Sequence, residues 1–281
     1  MPTHTCSVPE PPPRYDPDEL INAWLAQSDA HEHAHNVERF ARYAPELGWR
    51  SILAILELPD AQSHLPRLAN TLGMLISQYG SEFIDRIMAE ASVSDPFRRC
   101  LAGVHADPRF PIPESLWPQL SRAAGAPVGP IAPRVASLFA EIPDLGRLLA
   151  WTRTRSLPRT APALGPAELR VQAEGWLAYH QSFWAWEELK RVHAEDGWRA
   201  AWPLVLALVA RASQRALGAI GAGILEDMLD EHGDEIIERV EAQAAADPRF
   251  RYCLSHVWPG GMPDALWERV VRARGEEPQR G

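Results

Sequence analysis

The densest reactive chemistry in this chain lies between residues 226 and 241. There Glu226, Asp227, Asp230, Glu231, Asp234, Glu235, Glu238 and Glu241 face a single cation, Arg239. Carboxylates at that density can hold a divalent ion, serve as general acid and base, or steer a basic partner to the surface. No tight ligand loop of the EF-hand kind organises them, so a resident metal is not expected. Glu226 and Asp227 are adjacent, and neighbouring helical residues point about 100 degrees apart. Alone they make no dyad with separated pKa values, and capping, hydrogen bonding or exposure is their expected role. The acidic face that remains suits a basic protein. Glu226, Asp227, Glu231, Glu238 and Glu241 are its candidate binding residues, with Trp186 as an aromatic contact.

Other chemistry-bearing residues point to structure. His31, His33 and His35 alternate, which on a helix scatters the imidazoles around the axis, although His31 and His35 share a face near Glu38. Cys6, Cys100 and Cys253 lie too far apart in sequence for half a zinc site or a redox pair. Cys100 and Cys253 each precede a leucine in an apolar helix and are expected to be core thiols, whereas Cys6 is expected to be free and exposed in a reducing compartment. Among 11 tryptophans, Trp184, Trp186, Trp198 and Trp202 cluster; Trp198 and Trp202 share a helical face and suit a core. No phosphate loop, HExxH helix, GxSxG elbow or deaminase pattern is present, and Gly218, Gly221 and Gly223 lack the flanking strand and lysine of a nucleotide loop. No catalytic residue and no cofactor is therefore expected.

The elements that position these residues come from a duplication. Residues 24 to 120 recur as residues 176 to 267, most clearly where Tyr79-Gly80-Ser81-Glu82-Phe83-Ile84-Asp85-Arg86-Ile87 matches His232-Gly233-Asp234-Glu235-Ile236-Ile237-Glu238-Arg239-Val240. Trp24-Leu25-Ala26 matches Trp176-Leu177-Ala178, and Gly48-Trp49-Arg50 matches Gly197-Trp198-Arg199. Phe97, Cys100, Leu101 and Val104 match Phe250, Cys253, Leu254 and Val257 at a spacing that turns one helical face inward. Asp16 is placed to cap a helix starting near Pro17, and Asp95-Pro96 and Asp247-Pro248 to start later ones. Gly80 and Gly233 are expected to end one helix, with Ser81 and Asp234 capping the next, which would write a helical hairpin twice. Pro203 is expected in a first turn or at a kink. The copies differ in charge: residues 73 to 88, which match 226 to 241, hold only Glu82, Asp85 and Arg86.

The segments Trp184-Ala185-Trp186-Glu187-Glu188-Leu189, Trp198 to Leu208, Leu225-Glu226-Asp227-Met228-Leu229, Gly233, Asp247-Pro248, Phe250-Arg251 and Val257-Trp258 resemble an uncharacterised, mainly bacterial family of helical domains without an assigned role. The likeness covers residues 170 to 258, with a looser copy over 24 to 105. There Gly73-Met74 replaces Glu226-Asp227, His105 replaces Trp258, and the Trp184-Ala185-Trp186 cluster has no counterpart. The resemblance implies a helical domain, single or duplicated, and transfers no catalytic residue; some small bacterial domains of this kind are immunity proteins to toxins.

The expected fold is all-α, with two pseudo-repeated helical modules packed as a short solenoid or paired bundles. A disordered proline-rich arm (1–15) leads into module 1 (16–121). A linker (122–166) with a bracing helix near 135–152 follows, then module 2 (167–271) and a frayed end (272–281). Acidic residues outnumber basic ones by 37 to 28, which speaks against a general nucleic-acid binder. No apolar run of about twenty residues is present for a bilayer and no signal peptide is read, so the expected address is the cytoplasm. The expected function is a non-enzymatic interaction module or scaffold for a basic protein, as an immunity or adaptor protein would be. The alternatives are a divergent enzyme using carboxylates and a divalent ion, or a structural homo-oligomer.

Overall fold

A computed structural model describes residues 15–105, 111–129 and 163–275. The proline-rich arm up to residue 14, with Cys6, the bracing helix near 135–152 and the last six residues fall outside them. Among the described residues the chain is all-α, with no strand, and no helix is long and apolar enough to cross a membrane.

Copy one contributes α1 (Pro17–Tyr43), α2 (Pro45–Leu56), α3 (Leu65–Val93), α4 (Asp95–Ala102) and α5 (Trp117–Ala124), with 3-10 turns at Pro59–His64 and Glu114–Leu116. Copy two contributes α6 (Pro166–Ser182), α7 (Trp184–Arg191), a π-helical turn at Val192–Asp196, α8 (Trp198–Arg211), α9 (Gln214–Ile220), a second π-helical turn at Gly221–Leu225, α10 (Glu226–Ala246), α11 (Pro248–Leu254) and α12 (Asp264–Ala273). Starts follow local chemistry. The Asp16 carboxylate accepts from the Asp18 N–H at 2.9 Å, and prolines occupy the first turns of α1, α2, α3, α4, α5 and α11, where a missing N–H costs nothing.

Two compact units result, and neither is a contiguous copy. One gathers the described residues up to Asp29 with those from Ser182 onward; the other runs from Ala30 to Gln181. The first core combines Leu20, Ile21 and Trp24 of α1 with residues of α7 to α12 such as Val205, Met228, Phe250 and Val270. The second combines Ala173, Trp176 and Leu177 of α6 with residues of α1 to α5 such as Val37, Ile52, Leu72 and Phe97. Copy one therefore lends the first turns of α1, with Trp24, and copy two lends α6, with Trp176, to the core made mainly by the other copy. Trp24 and Trp176 are both fully buried, and burying a large aromatic ranks among the strongest single contributions to a helical core.

The structure corrects the hairpin expected at Gly80 and Gly233. Helix α3 runs straight through Gly80, and α10 runs through Gly233 with only a local departure at His232 (φ −132°, ψ 17°). These glycines serve close packing. A Cβ at Gly80 would lie 2.6 Å from Leu116 Cδ1, and one at Gly233 would lie 2.1 Å from Leu266 Cδ2. The same leucine of each copy is seated on the same glycine, so the feature the copies share is a notch for a side chain and not a helix end. Two smaller corrections follow the same logic. Ser94, not Asp95, caps α4 by accepting from the Phe97 N–H at 3.2 Å, while Asp95 pairs with Arg98 and Arg99. Pro203 lies beyond the first turn inside α8, exposed, without breaking it.

Candidate functional site

Helix α10 carries the acidic cluster, and its 3.6-residue period sorts the carboxylates into rows four residues apart. Along one row, Asp227 and Glu235 are engaged within the unit, and Glu231 faces a histidine nitrogen beyond hydrogen-bond distance. Asp227 Oδ2 lies 3.0 Å from Lys190 Nζ, Glu231 Oε2 lies 3.9 Å from His193 Nε2, and Glu235 Oε2 accepts from the Trp198 indole N–H at 3.0 Å and meets Arg199 at 3.4 Å. The hydrogen bond from Trp198, with Arg199 nearby, holds the Glu235 carboxyl below its ordinary range. Beyond these, Glu241 takes both arms of Arg269 at 2.6 and 2.8 Å, which likewise depresses its pKa.

The other row, Glu226, Asp230, Asp234 and Glu238, has no ion pair among the described residues. Glu226 accepts from the Trp258 backbone N–H at 2.8 Å and Asp230 from the Gly261 N–H at 2.8 Å. Those bonds fix the loop after α11 but neutralise neither charge. Asp230, Asp234 and Glu238 are exposed, and the Trp258 ring at the head of this row is 70% exposed. A large ring on a loop held by two side-chain bonds presents apolar area at low entropic cost.

At the junction of α7 and α10 the backbone leaves regular helix twice. The first π-helical turn, Val192–Asp196, follows Arg191, which bonds Glu188 at 2.8 Å behind it and Glu195 at 2.7 Å within it. Gly197, at φ +81°, then reverses the chain into α8, a left-handed conformation that favours glycine. The turn buries His193 to 5% exposure with its Nε2 lacking any hydrogen-bond partner. The departure at His232 sets that imidazole edge-on to His193, with centroids 5.5 Å apart. His193, Glu231 and His232 thus bring one ligand-type atom each within 4.8 Å of one another, the one such group found among the described residues. Burial keeps the His193 pKa below the ordinary histidine range; Glu231 and Asp227 oppose that shift and His232 and Lys190 reinforce it.

The remaining residues singled out by sequence fall into packing roles. Trp186 stacks on Trp24 at 6.1 Å, lies over Gly223 and has Lys190 Nζ 5.7 Å from its ring centroid. Gly218 and Gly221 face His256 and the Cys253 carbonyl, so the three glycines make room for neighbouring groups of the unit. His31 and His35 stack at 6.0 Å as their spacing predicts, while His33 turns to Gly175 and Gln172. Cys100 and Cys253 are buried thiols whose pKa burial pushes up to about 12. In the other unit, a half-open cleft of about 500 Å3 has an apolar floor including Leu53, Ala54 and Leu58. Its charged residues Arg50, Glu57 and Arg170 lie exposed. Sequence reasoning found the acidic helix but not its division into rows. It missed His193 altogether, because nothing in Val192-His193-Ala194 foretells a π-helical turn.

The structure brings Glu226 and Glu238 onto the row without ion pairs, and places Asp227, Glu231, Glu241 and Trp186 in contacts within the unit. The family of unknown function DUF6869 matches twice, over residues 25–126 and 173–277, and the chain belongs to this family. Neither a curated protein nor a solved structure matches.

Proposed function

We propose that this two-copy member of a family of unknown function is a non-enzymatic, cytoplasmic protein-interaction module that docks a basic partner on α10, as an adaptor or immunity protein would. The observation that carries this reading is the row Glu226, Asp230, Asp234 and Glu238, unpaired by any cation among the described residues and headed by the exposed Trp258. Carboxylates outside salt-bridge distance of any cation keep much of their field available to steer an arginine- or lysine-bearing surface, although Arg269 lies close enough to feel Asp234 and Glu238. A guanidinium arriving there can also lie over the Trp258 ring. Copy one has His105 at that position and only two carboxylates along the matching helix segment, which supports a scaffold role for copy one. Of the residues that sequence singles out, Glu226 and Glu238 belong to this row; Asp227, Glu231, Glu241 and Trp186 border it while meeting partners of their own.

The test is capture of proteins from the native cell lysate by the tagged chain, repeated with Asp234→Lys/Glu238→Lys and with Trp258→Ala. Those side chains make no contact on which the fold rests, so helicity stays unchanged. A basic protein retained by the wild type, lost from both variants and released by moderate salt is the expected result. Identical capture by wild type and variants removes the reading.

A further inference from the structure

We propose that His193, Glu231 and His232 form a binding site for a divalent transition-metal ion of the zinc class, a site separate from the docking row. The ligand set comes first. Two imidazoles and one carboxylate are the borderline donors that zinc-like ions prefer, and three protein ligands leave a position for water. The same set is poor for magnesium or calcium, which require a shell of oxygens.

Geometry comes second. Around zinc, with bonds of about 2.0 to 2.2 Å, ligand atoms stand roughly 3.3 to 3.6 Å apart. Here the three donor atoms lie within 4.8 Å of one another, with Glu231 Oε2 at 3.9 Å from His193 Nε2. The remaining contraction falls on side chains free to make it, since the Glu231 side chain is 59% and the His232 side chain 31% exposed.

The buried member of the trio is the independent sign of a ligand. His193 is 5% exposed, yet its Nε2 has no hydrogen-bond partner. An unsatisfied buried polar atom is costly and calls for an explanation. A cation between His193 and the other two supplies one. Both backbone departures of this region, the π-helical turn at Val192–Asp196 and the kink at His232, bear a ligand, and such departures recur at functional sites. Copy one is an internal control. The matching positions are Ala44, Gln78 and Tyr79, which offer neither imidazole nor carboxylate, and the Tyr79 hydroxyl donates to the Arg42 carbonyl at 2.9 Å.

The full chain, stripped with chelator and dialysed, is titrated with zinc chloride by calorimetry and with cobalt(II) by visible absorption. Expected are one equivalent of zinc per chain, a cobalt spectrum of low coordination number, and a higher unfolding midpoint with zinc. Glu231→Gln/His232→Gln changes only the solvent-facing ligands, so the fold survives, and zinc affinity falls at least about tenfold. His35→Gln, which breaks the stacked pair with His31, leaves binding unchanged. The proposal is overturned if the wild type takes up no zinc, if the double variant binds within about tenfold of wild type, or if His35→Gln abolishes binding.

Discussion

The third helix of the repeat shows how far the copies have diverged. In copy one it is a single unbroken α3 of 29 residues, Leu65–Val93. In copy two the same stretch is divided into α9, a π-helical turn and α10. Leu65, Leu68 and Asn70 of α3 stand where copy two has Gly218, Gly221 and Gly223. Leu68 is fully buried in the core of its unit. The three glycines instead admit the His256 ring, the Cys253 carbonyl and the Trp186 ring; a Cβ at Gly221 would lie 2.1 Å from that carbonyl. Glycine at these three positions leaves the space that those neighbours occupy. The exposed face of the resulting helix carries the carboxylates that copy one lacks.

The exchange of leading helices offers the largest test of that comparison. Trp24→Ala should cost about 3 to 5 kcal/mol, as should Trp176→Ala, but each in the unit opposite to its sequence copy. Hydrogen exchange would show Trp24→Ala loosening α8 to α11 while α2 to α5 stay protected, and the converse for Trp176→Ala. Protection lost in a tryptophan's own sequence copy would refute the exchange. Phe is milder at either site, since both indole N–H groups are buried without a partner and Phe removes that orphan donor along with some volume.

Much of this fold is legible in sequence, because duplication lets each copy check the other. The inward face shared by Phe97, Cys100, Leu101, Val104 and their copy-two counterparts is buried to 3% exposure or less in both. That periodicity could not mislead. Gly80 and Gly233 did mislead, since a glycine before a cap former signals a helix end, and only the leucine seated on it from far along the chain shows otherwise. Which core a helix joins is likewise invisible to periodicity: Trp24 and Trp176 read identically whether they stay home or exchange. At the acidic helix the charge was legible, whereas the division into paired and unpaired rows depended on where Lys190, His193, Trp198 and Arg269 arrive.

Acid response should sharpen the comparison next. His180 occupies the position that Ser28 holds in copy one, and burial, reinforced by Arg67 and His64, lowers its pKa to about 4. Its ring lies 4.2 Å from that of Trp176 and its Nδ1 is buried without a partner. The folded state therefore keeps His180 neutral down to about pH 4, whereas the unfolded chain takes up the proton near about pH 6.5. Stability from this group is complete above the unfolded pKa and is lost as pH falls toward the folded one, by up to about 3 kcal/mol. His180→Ser should lower stability at pH 7 through lost packing, yet shrink the difference in unfolding midpoint between pH 7 and pH 5. An undiminished difference would assign the acid response to other groups.

The smallest effect separates two ways of starting the same helix. Copy one caps α4 with the neutral Ser94 and leaves its charge to Asp95, one residue inside. Copy two caps α11 with Asp247, which accepts from the Arg249 N–H at 2.8 Å and places a negative charge at the positive end of the helix. Ser94→Ala and Asp247→Ala should each cost about 1 kcal/mol, read as a shift in urea midpoint at constant slope. Asp95→Ala should cost less than Ser94→Ala, because it removes solvent-exposed ion pairs but no capping bond. If Asp95→Ala proves the more damaging, the helix start depends on charge rather than on the capping bond, and the two copies use one device where the geometry shows two.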